Sequence, residues 1–246
     1  MKILKNSLII LLFTIFGCSN DQSSFDIITE EENISINQTS SISAYSLEEI
    51  LNGMRTWDNL RTNKSALIKL FNSRNGFNIN LGLFPPNSSV HAYPCIIQGA
   101  LKFAIISEVY DKVGYKDSIN NYIIIVDVGY KDISNLRTPI YQNYTFPLPT
   151  QYIQAADAIN RIEDWNTNYA SWLNSDSFVY KGFDIPTYSL ASQNYTVYFG
   201  LKNDIDNPSI KDADLVIDNN NGLFYDTVAG FPRPGRQGNY YLLGLI

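Results

Sequence analysis

From residue 46 onward the apolar positions follow a helical period, then change to a strand period. Ser46-Leu47-Glu48-Glu49 has the form of a capping box, with Ser46 as N-cap and Glu49 at the third helical position. Leu47, Ile50, Leu51, Met54 and Trp57 then recur at helical spacing, which predicts a helix over about 47–60. A second stretch, KSALIKLFNSRNG, places Ala66, Leu67, Leu70 and Phe71 on one face, with Gly76 as its C-terminal signal. FNINLGLF alternates apolar and polar residues over 77–83 and reads as a half-buried strand closed by Pro85-Pro86-Asn87. ALKFAIISEVY and NNYIIIVDVGY are rich in β-branched residues and read as buried strands, with VGYKDS as the loop between them. Over 150–173 an apolar stripe of Ile153, Ile159, Ile162, Tyr169, Trp172 and Leu173 predicts the longest helix, with a break at Asn166-Thr167-Asn168. Strand signals return in SFVYKGF, YTVYFGLK, ADLVID, GLFYDTV and NYYLLGLI, so the last residues are expected to join a sheet.

Strands, one long helix and more strands, without regular βαβ alternation, predict an α+β domain. Its sheet is expected to be mainly antiparallel, with two or three packed helices. About 200 residues bury roughly 70% of the surface of the unfolded chain, enough for one core. We therefore expect a single globular domain over 46–246. Residues 122–132 and 195–204 share a loose Tyr, aliphatic, Gly, Lys, Asp outline, too little to define a repeat.

Before this domain the pattern differs. Lys2 and Lys5 precede an apolar run over 8–16, interrupted only by Thr14. Such a run is shorter than the roughly 20 residues a membrane-spanning helix needs, and it has the length of a signal-peptide core. Ile15-Phe16-Gly17-Cys18 resembles a lipobox, the cleavage and acylation motif of bacterial lipoproteins. Ile15, Gly17 and Cys18 match that motif; Phe16 is bulkier than the residue usual at its place. The resemblance covers residues 1–18 and implies a signal peptide over 1–17, with diacylglycerol and palmitate-type acyl chains on Cys18. Each buried methylene contributes about 0.8 kcal/mol, and two acyl chains are enough for stable anchoring. Ser19 follows the cysteine in place of the Asp that favours inner-membrane retention, so the resemblance implies an exported protein anchored in the outer membrane. Residues 18–45 lack a sustained period and are rich in Ser, Asn, Gln and Glu, a composition that cannot offset its ordering entropy by burial. They read as a lipidated flexible tether with a mean reach of roughly 25–30 Å.

The chain carries 18 basic and 24 acidic side chains, and losing Lys2 and Lys5 with the signal peptide takes the formal charge from −6 to about −8. Phosphate backbones repel such a protein, which argues against nucleic acid as a partner. The 17 tyrosines would suit a sugar-binding surface, but codon bias in AT-rich genomes enriches the same residue. Of the two cysteines, Cys95 lies among apolar residues and reads as a buried, inert thiol. A nucleophilic pairing with His91, the single histidine, is the less favoured alternative.

No Gly-x-Ser-x-Gly, His-Glu-x-x-His, Walker A or Gly-x-Gly-x-x-Gly motif occurs. Two stretches remain as candidates for chemistry. Asp204, Asp206, Asp212, Asp214 and Asp218 bunch hard oxygen ligands as calcium would require, although Asp and Asn also favour solvated turns on their own account. Arg233 and Arg236 sit in GFPRPGRQGNYY, where guanidinium groups could hold a carboxylate or phosphate; an exposed loop is the plainer reading. Trp165, Tyr169 and Trp172 fall at i, i+4 and i+7, either as a stacking platform or as core. No cofactor other than calcium is suggested. The expected function is a membrane-anchored envelope lipoprotein with a non-enzymatic binding or scaffolding domain. Its partners would be the lipid bilayer, through acylated Cys18, and an envelope protein or a saccharide. Two alternatives stand beside it: a carboxylate-dependent hydrolase of envelope or extracellular polymers, and a subunit of an outer-membrane complex.

Overall fold

The computed structural model describes residues 44–137, 152–175, 179–187, 194–204, 207–220, 222–226, 228–231 and 240–246. The signal peptide, the lipobox with Cys18, most of the tether, Asp206, Arg233 and Arg236 lie outside the described residues.

Helix α1 spans Leu47–Leu60, and both halves of its capping box form: Ser46 Oγ accepts from Glu49 N, and Ser46 N donates to Glu49 Oε2 at 2.8 Å. Helix α2, Lys64–Phe71, is capped by the Asn63 side chain, which accepts from Ala66 N at 3.1 Å. It stops at Phe71, earlier than the glycine signal suggests, because Gly76 opens strand β1, Gly76–Asn80. The described residues continue with β2 (Ser89–Ile97), β3 (Ala100–Ser107), β4 (Ile124–Asp127), β5 (Tyr152–Ile153) and α3 (Ala155–Asn174). They close with β6 (Gly182–Pro186), β7 (Asn194–Asn203), β8 (Lys211–Asp218), β9 (Phe224–Asp226), β10 (Val228–Phe231) and a 3-10 turn at Leu242–Leu245.

The fold is α+β, and among the described residues every strand pairs antiparallel. The strands divide between two five-stranded sheets, ordered β1-β7-β8-β9-β5 and β10-β6-β2-β3-β4. Alternation along the strands assigns their faces. Val197, Phe199, Leu215 and Ile217 of the first sheet meet Val90, Ala92, Phe103 and Ile105 of the second in one core. Phe77 stacks on Phe103 at 4.7 Å across that core. The outer face of the second sheet, with Tyr93, Cys95, Ala104 and Ile106, packs on Ile50, Leu51 and Met54 of α1. The outer face of the first, with Tyr198 and Val216, packs on Ala158 and Ile162 of α3. Each sheet thus has both faces covered.

The structure departs from the sequence expectations in α3, at the last residues, at Leu81–Leu83 (a 3-10 turn where the strand was expected to continue) and at β2. α3 runs unbroken through Asn166-Thr167-Asn168, whose side chains face solvent and place no polar group in the core. The last residues form a 3-10 turn and not a strand. β2 carried no strand expectation, because Pro94 interrupts it and because a strand buried on both faces shows no alternation. Pro94 is tolerated because β6 pairs with β2 only as far as Ala92.

Asn75 fastens the two sheets at one edge. Its Oδ1 accepts from Lys131 N at 2.6 Å, its Nδ2 donates to Lys131 O at 2.9 Å, and its carbonyl accepts from Phe199 N at 2.8 Å. Gly76 beside it bridges Gly129, and a Cβ there would lie 2.2 Å from Val197 O.

Candidate functional site

A concavity lies where α3 crosses the end of the β7–β8 hairpin. It encloses about 600 Å³ and is lined by polar residues of α3, by Lys202 and Asn203 of β7, and by Lys211 of β8. Even-numbered residues of β7 and β8 face α3, so the polar positions Lys202 and Asp214 arrive on the helix side while their neighbours Leu201 and Leu215 enter the core. Gly200 permits the approach: a Cβ there would lie 3.3 Å from Arg161 Cβ and 3.2 Å from Val216 Cγ2.

Arg161 and Lys202 of the lining belong to an ion network. Arg161 Nη1 donates to Asp214 Oδ2 at 3.0 Å and to Asp226 Oδ2 at 2.9 Å, while its Nη2 donates to Asp157 Oδ2 at 2.7 Å. Lys202 Nζ bridges the other oxygens of the same two carboxylates, at 3.0 Å from Asp214 and 2.9 Å from Asp226. Burial pushes the Asp214 carboxyl above its ordinary range, and Asp226 adds to this against the pull of Lys202 and Arg161. Burial opposes the charges on Arg161 and Lys202, yet the facing carboxylates outweigh it and hold both cations above their ordinary values. Toward the rim, Lys211 Nζ pairs with Asp164 Oδ2 at 2.9 Å, and Asp164 Oδ1 accepts from Asn168 Nδ2 at 2.7 Å.

This arrangement immobilises the walls. Asp214 is 3% exposed and is held by two cations, so it has no open face toward a substrate. Asn160, Thr167 and Asn203 also face the groove, beside Glu163; each of the three is exposed and bears both donors and acceptors.

Among the described residues, Asp204, Asp212, Asp214 and Asp218 lie apart along the β7–β8 hairpin. Asp204 caps the turn of the β7–β8 hairpin by accepting from Asn207 N at 2.8 Å. Asp212 and Asp214 face Lys202 and Gly200 across the ladder. Asp218 sits at the far end of β8, accepts from Asn220 N at 2.8 Å, and is pushed up to about 6 by burial. Among the described residues no group of three or more His, Cys, Asp or Glu side chains has the arrangement to hold a metal ion. Cys95 is buried, its thiol is pushed up to about 12 by burial, and its Sγ donates to Lys102 O at 3.6 Å; His91 instead contacts Asp111. Trp165 and Trp172 belong to the core, with Trp165 meeting Phe71 and Phe199 at 5.1 Å.

Sequence reasoning singled out Asp214 of the network but not Arg161, Lys202, Asp157 or Asp226. The i,i+4 spacing of Asp157 and Arg161 was the one local signal available. Compared with known protein families, curated proteins and solved structures, the chain matches none.

Proposed function

We propose that the protein is an envelope lipoprotein, held in the outer membrane by acyl chains on Cys18, whose α+β domain is a non-enzymatic binding module using the groove over α3. The lipobox-like Ile15-Phe16-Gly17-Cys18 behind a short apolar run supports the anchor. The observation that carries the binding reading is that Asp214 and Asp226 are committed to the same two cations, Arg161 and Lys202. General acid–base work on a glycosidic or similar bond needs two carboxyl groups facing each other across the substrate, with one open to protonate it. Carboxylates paired with an arginine and a lysine, one of them buried, serve instead to fix the shape of a wall.

Metabolic labelling with an alkyne-tagged palmitate, followed by fractionation, tests the anchor. The reading expects a labelled wild-type protein in the membrane fraction and an unlabelled, soluble Cys18→Ser variant. A variant that stays in the membranes overturns it.

A further inference from the structure

The groove over α3 extends beyond the polar lobe. A second lobe of about 460 Å³ shares Asp164, Asn168, Leu201 and Lys211 with the first, and adds Trp172 and Ile210. The two lobes follow α3 from Asp157 to Ser175, a length of roughly 27 Å at 1.5 Å per residue. They differ in chemistry. The first lobe is lined by three acidic side chains, Asp157, Glu163 and Asp164, and three basic ones, Arg161, Lys202 and Lys211. Arg161 and Lys211 are paired with Asp157 and Asp164, and Lys202 with Asp214 and Asp226. Each of the three cations is held in ion pairs and, with Asp214 and Asp226 counted, acids outnumber bases five to three, so the lobe leaves no free cation for an anionic ligand. The second lobe presents Ile210, 51% exposed, beside the buried wall of Trp172.

We propose that this groove binds a neutral, linear oligosaccharide; the proposal rests on the binding reading above and names its ligand class. A sugar hydroxyl both donates and accepts, which is what the amides of Asn160 and Asn203 and the hydroxyl of Thr167 require of a partner. A pyranose ring also carries an apolar C–H face, which fits against the exposed Ile210 in the second lobe. An extended trough open along one side accepts a polymer segment in a way that an enclosed pocket does not. The uncommitted polar groups and the exposed apolar residue lie on the same trough, so one chain can satisfy both.

The test uses the detergent-solubilised full-length protein and calorimetric titration with defined hexamers. The neutral probes are cellohexaose, xylohexaose, maltohexaose and laminarihexaose. A galacturonic acid hexamer, a glucosamine hexamer and an uncharged Gly/Ser hexapeptide are the competitors. At least one neutral hexasaccharide is expected to bind. The exposed double variant Asn160→Ala/Asn203→Ala and the separate Ile210→Asp should each weaken that binding about tenfold with an unchanged circular dichroism spectrum. Neutral binding that survives both variants overturns the proposal, because the site is then elsewhere. A charged hexamer or the peptide binding in place of the sugars, and sensitive to the variants, overturns the ligand class and leaves the groove as a binding site. No binding by any probe overturns both.

Discussion

His91 Nδ1 lies 2.7 Å from Asp111 Oδ2 in a site from which solvent is excluded, Asp111 being 0% exposed. The same carboxyl group accepts from the Tyr93 hydroxyl and, through Oδ1, from Leu242 N at 2.9 Å. Burial and Asp111 together push the Tyr93 phenol well above its ordinary value. The single histidine of the chain therefore joins a buried latch that holds the C-terminal 3-10 turn against α1 and the second sheet. Arg55 of α1 completes the latch by donating from Nη2 to Leu245 O at 2.9 Å. Asp111→Ala removes the carboxylate that Tyr93 Oη, Leu242 N and His91 Nδ1 share, and it is expected to destabilise the domain by about 3–5 kcal/mol in urea unfolding. The native-state signature is faster carboxypeptidase digestion of the last five residues. Wild-type digestion rates in the variant would contradict the latch.

Gly76 and Gly114 make opposite predictions. An added Cβ at Gly76 meets Val197 O at 2.2 Å, a backbone atom that cannot move without parting β1 from β7. Gly76→Ala is expected to cost at least about 1–3 kcal/mol, as overpacking does. Gly114 has nothing within 4 Å of such an atom, so Gly114→Ala should change stability by no more than about 0.5 kcal/mol. Thermal unfolding of the two variants side by side checks the pair.

Asp218 gives a pH prediction. Burial raises its carboxyl to about 6 in the folded protein, above the value near 3.9 of an unfolded chain. The folded state thus binds the proton more tightly, and stability falls as pH rises through the interval from about 4 to 6. Asp218→Asn keeps an oxygen for Asn220 N and removes the charge. The variant should be more stable than wild type at pH 8, by about 1–2 kcal/mol after allowing for partial hydration, and equal to it near pH 3. A stability difference independent of pH would contradict this assignment.

Arg161 holds three carboxylates, two of them on separate strands of the first sheet. Arg161→Met removes the charge but keeps the apolar stem, leaving Asp214 and Asp226 with Lys202 alone. The expected loss is about 3–5 kcal/mol, partly restored by adding Asp214→Asn. Chemical denaturation of the single and double variants measures that coupling, and simple additivity of the two effects would contradict it.

How much of this was legible depended on whether the signal was local. The start of α1 could be read because Ser46 and Glu49 satisfy each other within one turn. β7 was visible because Tyr195 to Phe199 form an unbroken β-branched and aromatic run, and β3 because Phe103, Ile105 and Ile106 lie close together in an apolar stretch. β2 was hidden by Pro94, whose tolerance depends on where β6 stops pairing, a property of a strand 88 positions later in the sequence. NYYLLGLI has strand-like composition, but its Leu242 N–H is taken by Asp111, 131 positions earlier, and the segment turns as a 3-10 helix. The groove was invisible for the same reason: Arg161, Lys202, Asp214 and Asp226 come from four elements and meet only after α3 settles on β7 and β8.

Mass spectrometry of the N-terminal peptide of the protein purified from its native membranes tests the anchor most directly. The expected product is a chain that begins at Cys18 and carries a diacylglycerol thioether on Sγ. A mature protein that retains residues 1–17, or that begins elsewhere with an unmodified Cys18, contradicts it.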